Sequence, residues 1–424
     1  MDPTLTRRRF ISGAATLAGG LLYRGDAHTQ VPKRRHAFAV IGRGPMGSAA
    51  ARHLAAAGAD VVVIGPEEPT DGQSAVVPAA SHYDEMRQIE LANDSLLLGR
   101  LAHTSLPGFR ELERSTSINF IEDNANLRVG FPTYAARGWE PARAVARELE
   151  VPVEELGMSD LATRFPYLRF PADSRGLLEP GGGIINPRKL VEAQLAAAEK
   201  NGATVVNDAA VKLQRKSGEV VIETLTGRTL RADQVLVATG AFTNQTGLLR
   251  RDLALTLIGV TIVQAEVRPG PQAEMPVVTA VLQGEAGPQI LYAMPPREFP
   301  DGKTYVKGNS FRWAPSRTAG DGDAEDGPKG STVVDDPSLM VGMLSEMIPG
   351  LEVGAVRSHF CMTSYTRSGA PYIDRIDDRL GVAAGGNAWG IMTSDEIGRL
   401  AAAMMRGEGW SGELGPEVFS ARFA

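Results

Sequence analysis

The stretch "HAFAVIGRGPMGSAAARHLAAAGADVVVIG", residues 36–65, decides the fold. An apolar run, Phe38 to Ile41, predicts a buried strand. Gly42, Gly44 and Gly47 follow at G-x-G-x-x-G spacing, an alanine-rich helix runs to about Ala57, and Val61 to Ile64 predict a second buried strand. The glycines have distinct physical tasks. Gly42 permits the tight turn, Gly44 lets backbone approach a pyrophosphate, and Gly47 lets helix and strand pack closely. With Arg43, Pro45 and Met46 they form a cradle at the positive end of a helix dipole.

One part of a dinucleotide fingerprint is absent. The acidic residue expected at the end of the second strand falls at Gly65, which leaves Glu67 or Glu68 in the next turn, or backbone groups, to reach the ribose. No arginine follows to meet a 2′-phosphate, so the pattern implies a dinucleotide without one.

Working outward, "NPRKLVEAQLAAAEKNGATVV" predicts an amphipathic helix and a strand ending near Val206. A hairpin is expected around Ser217 and Gly218, and a buried strand, Val235 to Ala238, closed by Thr239 and Gly240. "RLGVAAGGNAWGIMTSDEIGRLAAAMMRG" predicts a last strand, glycine turn and helix. The nucleotide-binding pattern is therefore interrupted twice. The fold class expected is α/β, with a Rossmann-like domain built from three chain segments, 36–92, 178–252 and 361–424. An inserted α+β substrate domain, 93–177 and 253–360, is expected to carry a mixed or antiparallel sheet. The polar, acidic stretch 314–338 reads as a surface loop.

A chain of 424 residues with 43% apolar residues can bury two or three cores, and its net charge of −6 argues against a nucleic-acid partner. A single cysteine, Cys361, excludes an intramolecular disulfide and an all-cysteine metal cluster. No metal is expected. At the N-terminus, Arg7 and Arg8 precede a short, glycine-rich apolar run. Residues 1–30 thus read as a twin-arginine signal for export of the folded protein to the periplasm or beyond, with a disordered tail on a cytoplasmic protein as the alternative. The run is too short for a stable membrane span.

In order along the chain, the glycine turn, "SHYDEMR", "EPGGGIINP", "ATGAF", the Cys361-Met362 pair and "AAGGNAWG" resemble the FAD-dependent amine and amino-acid oxidoreductases of the D-amino-acid oxidase superfamily, in its sarcosine oxidase and N-methyltryptophan oxidase branch. The resemblance covers nearly all of residues 36–424. It implies FAD as cofactor, linked covalently through Cys361 to the flavin 8α-methyl group; on composition alone Cys361 is a buried small hydrophobe. It implies that Val211 offers backbone to the adenine, that Gly385, Gly386 and Gly390 flank the flavin pyrimidine, and that Arg87 sits near the flavin with His82 in the same segment. It also implies a small-molecule amine substrate, hydride transfer to flavin N5, and dioxygen or another electron acceptor. Tyr292 and Trp389 are placed to wall the pocket.

The pattern breaks in two places. Relatives hold a substrate carboxylate with two cations, where this chain has Glu90 and Met392. That exchange removes charge-assisted contacts and implies a substrate with a neutral or cationic end, with Glu90 as its partner. The oxygen-reactive lysine of relatives aligns with Val306, so that Lys307, one residue on, is expected to face away from the flavin. A dehydrogenase with a different acceptor, or a flavoprotein that has lost catalysis and serves in binding, therefore stands beside an oxidase.

Overall fold

A computed structural model describes residues 34–68, 80–284, 287–312, 337–410 and 414–424. The expected export signal and residues 314–336 of the expected surface loop lie outside them. Pro337 and Ser338, placed in that loop from sequence, instead open a helix.

Among the described residues the first sheet has eight strands. They are β1 (His36–Ile41), β2 (Val61–Gly65), β9 (Thr204–Asn207), β10 (Ala210–Lys216), β11 (Glu219–Thr224), β12 (Thr229–Val237), β18 (Tyr372–Arg375) and β19 (Leu380–Ala384). The centre runs β9-β2-β1-β12-β19, all parallel. The hairpin β10–β11 joins the first half of β12, and β18 closes the edge antiparallel to β19. Strands covered on both faces read as continuous apolar runs. Val40 and Val63 face a core made with the helices; Ala39, Ile41, Val62 and Ile64 face an opposite core with Leu248, Leu253 and Tyr372.

The helices are α1 (Pro45–Ala56), α2 (Leu96–Thr116), α3 (Pro132–Gly138), α4 (Glu140–Glu148), α5 (Met158–Arg164), α6 (Pro187–Lys200), α7 (Pro337–Met347) and α8 (Ser394–Arg406). Helix α1 starts on Pro45, whose fixed φ and missing N–H suit a first turn. It packs between α6 and α8, and Gly398 of α8 lies so close to Ala49 and Ala50 that a Cβ there would overlap their backbone.

The second sheet, also eight-stranded, consists of β5 (Asn126–Gly130), β6 (Glu154–Leu156), β7 (Arg175–Glu179), β13 (Leu255–Val267), β14 (Val277–Gly284), β15 (Gly287–Glu298), β16 (Thr304–Arg312) and β17 (Val353–Thr366), in the order β17-β13-β16-β15-β14-β5-β7-β6. Only β14–β5 is a parallel pair, so the sheet is mixed. One face carries Leu127, Val263, Val278, Ala293 and Val306 against Met340, Leu344 and Met347 of α7. The other face is rich in polar residues. A small sheet, β3 (Arg87–Ile89), β8 (Gly183–Ile185) and β4 (Ile121–Asp123), lies between the two large ones in sequence.

The expected segment boundary at 361 falls inside β17, which pairs with β13 along its whole length, from Val353 to Thr366. Cys361 therefore belongs to the second sheet, and the chain returns to the first sheet at Tyr372. The same holds at 178, which lies inside β7.

Candidate functional site

The site starts from the glycine turn. Gly42 has φ +109°, and a Cβ there would overlap the Ala238 carbonyl at the end of β12. A Cβ on Gly47 would overlap the Gly42 carbonyl. Gly44 differs: it caps α1 in extended conformation, and an added Cβ would meet only the His82 ring, at 3.6 Å. Two glycines thus close the turn, and the third leaves its backbone approachable at the helix N-terminus, the geometry an anionic phosphate requires. Thr239 and Gly240 stand at the next strand end, Gly240 with φ +58° and Thr239 bonded to Thr243 at 3.2 Å.

Cations surround this turn. Burial and the guanidiniums of Arg188, Arg87 and Arg43 drive the His82 imidazole down to about 3, so it is neutral at physiological pH. A neutral histidine inside a cationic ring, beside open backbone at a helix N-terminus, fits the pyrophosphate of FAD. Gly65 is explained by Arg43, whose Cγ and backbone N would stand within 2.8 Å of any Cβ placed there. The two acids weighed for the ribose separate: Glu68 forms a two-pronged pair with Arg188 at 2.6 Å, whereas Glu67 is exposed and reaches Arg43 only at 3.4 Å. Val211 follows the β9–β10 turn at a bulge and is 46% exposed. Across the first sheet, Gly386 and Gly390 pack face to face, each against the Met46 Cε, which joins the last glycine turn to the first. Asn387 and Ala388 between them hold positive φ, and Gly385 has φ +84°.

The polar face of the second sheet supplies the other groups. Lys307 pairs with Gln264, which pairs on its other side with Arg357, so Lys307, Arg357, His359 and Cys361 share one face. Tyr292 pairs with Asn309, and Arg128 with Thr279, which pairs with Tyr292, adding Tyr292 and Arg128 to that face. This corrects the expected orientation: Lys307 is on the Cys361 face and Val306 is buried against α7. Pairing of β16 with β13, Lys307 opposite Gln264 and Val306 opposite Ala265, sets these faces.

Lys307 is 1% exposed; its Nζ lies 2.7 Å from Asp84 Oδ2 and donates to the Met86 carbonyl. Arg87 donates to the same Asp84 oxygen, to Met86 O at 3.0 Å and to Ser81 O at 2.7 Å. Asp84, the residue that gathers these cations, was not among the residues singled out from sequence; a carboxylate two residues from a histidine has no periodicity to mark it. Cys361 is buried and lies within electrostatic reach of both Arg87 and Lys307. Burial pushes the Tyr292 phenol above its usual value, with Arg87 opposing.

At the other end, Glu90 is not free to meet a substrate. Its carboxylate accepts from Arg128 Nε at 3.2 Å and Asn93 Nδ2 at 3.2 Å, and Arg128 Nη2 is 3.0 Å away. Arg128 also reaches Asp94 at 2.6 Å and the Ala92 carbonyl at 3.4 Å. Met392 sulfur accepts the Glu90 backbone N–H at 3.5 Å. Burial outweighs the Arg128 pairing and lifts the Glu90 carboxyl to about 7. Trp389, partly buried, packs beside Ile391 and Met392.

A glycine-cradled α/β domain and a mixed sheet whose polar face holds basic residues and a cysteine define a flavin-dependent oxidoreductase. Residues 37–404 match the FAD dependent oxidoreductase family, DAO, and the chain belongs to it. It is 24% identical over 253 residues to the peroxisomal sarcosine oxidase of Homo sapiens, covering 58% of this chain and 62% of that one. To the Mus musculus peroxisomal sarcosine oxidase it is 22% identical over 369 residues, covering 85% and 90%. The match to the human relative thus spans under two thirds of that protein's length. Among solved structures, the open form of NikD, an unusual amino acid oxidase essential for nikkomycin biosynthesis, superposes with a TM-score of 0.71 at 21% identity, covering 92% of this chain and 98% of that one. Among the described residues no helix is long and apolar enough to cross a membrane, and no cluster of His, Cys, Asp and Glu is arranged to hold a metal.

Proposed function

We propose that this chain oxidises a C–N bond of a small amine whose binding end is neutral or cationic, with FAD fastened through Cys361. The observation that carries the substrate reading is the Glu90–Arg128 pair. Where relatives resembling this chain grip a carboxylate with two cations, the chain has an anion and a thioether, and the guanidinium beside them is already engaged by Glu90, Asp94 and a backbone carbonyl. A substrate carboxylate brought there would meet the buried Glu90 carboxyl and no free cation, because Arg128 is already engaged.

When bound, FAD supplies the hydride acceptor, N5 of its isoalloxazine ring. The protein's part is to bind, orient and exclude water. The turn at Gly42–Gly47 would hold the pyrophosphate; Gly386 and Gly390, packed on Met46, bring the last glycine turn beside the first. Arg87 offers a permanent positive charge, because guanidinium does not lose its proton in proteins. Tyr292 and Lys307 share the face that bears Cys361. Lys307 on that face supports the oxidase reading over a dehydrogenase with another acceptor. Export by the twin-arginine route is consistent with a cofactor that cannot dissociate.

Two measurements test this. Acid-precipitated protein should stay yellow, with an intact mass raised by one FAD, and Cys361→Ala should release the flavin; a colourless pellet from the wild type refutes the link. Anaerobic titration should bleach the flavin with amines lacking a carboxylate at lower concentration than with sarcosine or glycine, and the reverse order refutes the substrate reading.

A further inference from the structure

Three basic side chains from separate elements converge on one buried carboxylate. Asp84, with a side chain wholly removed from solvent, accepts from Arg87 Nη1, lies 2.7 Å from Lys307 Nζ and 3.8 Å from His359 Nε2, and takes the Glu85 N–H at 2.7 Å through its other oxygen. The His359 Nε2 is buried and makes no hydrogen bond. A buried ammonium next to a guanidinium gives up its proton at a lower pH unless an anion compensates, because desolvation and like charge both favour the neutral amine. Burial, Arg87 and Arg188 together press the Lys307 ammonium well below its ordinary range, with Cys361 and Glu85 opposing. The groups facing it are Asp84, Glu85 and Arg87 from the segment before and into β3, His359 and Cys361 from β17, Tyr292 from β15, and Arg188 from α6. Burial and surrounding cations hold His359 near 4, so it brings no charge at neutral pH. Asp84 is the anion in direct contact.

We propose that Asp84 is a positioning residue that keeps Lys307 a charged ammonium, fixed between Asp84 and the Met86 carbonyl on the sheet face bearing Cys361. Lys307 and Arg87 then contribute two positive charges and Asp84 one negative, a net of one positive charge beside the flavin. This inference rests on the FAD reading above.

The test uses the flavin-loaded protein and inorganic sulfite, an anion that reversibly bleaches oxidised flavin and binds more tightly when the surroundings are more positive. Each dissociation constant is divided by the wild-type value at the same pH, which cancels the titration of sulfite itself. Lys307→Met should weaken sulfite binding about tenfold at every pH from 6 to 9. Asp84→Asn should tighten it about tenfold at pH 6, where Lys307 remains charged without its anion, and lose that advantage by pH 9 as Lys307 gives up its proton. The double variant should show no such pH dependence, and Asp84→Glu should resemble the wild type. A tenfold change corresponds to about 30 mV in a two-electron midpoint potential, an independent readout.

An unchanged affinity in Lys307→Met, or a pH dependence that persists in the double variant, overturns the proposal. If the wild type binds no flavin, the cofactor reading fails instead. The pair is then judged on the flavin-free protein, where each single variant should lower the urea midpoint more than the double variant does; additive losses overturn it.

Discussion

Replacing Glu90 by glutamine separates the charge of this buried group from its shape. The carboxyl is raised from 4.5 to about 7 by burial, against the pull of Arg128. A group whose folded value lies above its unfolded one binds extra protons in the folded state between the two, so its contribution is complete below about 4.5 and is lost as pH rises through 7. The rise from 4.5 to about 7, at about 1.4 kcal/mol for each tenfold in proton affinity, amounts to about 3.5 kcal/mol, of which about 3 kcal/mol is lost between pH 4.5 and 8. His82 and His359 act oppositely, because their values are depressed, to about 3 and about 4, and their contributions are present above the unfolded value of 6.5 and lost as pH falls. The wild-type curve therefore mixes opposing slopes, and the difference between wild type and Glu90→Gln isolates one. Urea unfolding followed by tryptophan fluorescence at half-unit steps from pH 4.5 to 8 should show the wild type losing about 3 kcal/mol relative to Glu90→Gln. A difference that stays flat, or that grows in favour of the wild type with rising pH, refutes the reasoning: it would mean that Arg128 compensates for burial completely.

Three further outcomes follow from the same contacts. Arg128→Met leaves Glu90 buried without its cation and should cost about 3–5 kcal/mol at pH 8, measured by urea unfolding, with a smaller loss at pH 5 where Glu90 is protonated. Gly42→Ala combines a φ of +109° with overlap on the Ala238 carbonyl, so it should lower stability by at least about 3 kcal/mol and abolish flavin absorbance in the purified protein; a yellow variant of normal stability would refute the turn assignment. Stopped-flow mixing of reduced protein with dioxygen should show reoxidation slowed at least tenfold in Lys307→Met, and an unaltered rate would remove Lys307 from the oxygen step.

What was legible in the sequence follows from how far each cause reaches. The turn at Gly42–Gly47, the buried parallel strands and the helix from Pro45 each depend on residues within one turn of themselves, so spacing and apolar runs revealed them. The altered carboxylate end was also visible, as Glu90 and Met392. Its consequence was not, because Arg128 comes from β5, 38 residues away, and only the second sheet brings it to Glu90. Lys307 failed for a related reason: on a strand, one residue of offset inverts every side chain, and the reference that fixes the offset is the neighbour Gln264, distant in sequence. Asp84 was overlooked although it stands in a segment already singled out for His82 and Arg87, since a carboxylate has no significance until the groups around it are known. Here those groups are two cations and a partly buried imidazole from separate elements. The glycine turn is thus recoverable from local pattern, whereas the charge state of the polar sheet face is a property of the assembled sheets. Among relatives that share the turn, differences in chemistry are therefore to be sought in ion pairs such as Glu90–Arg128 and Asp84–Lys307.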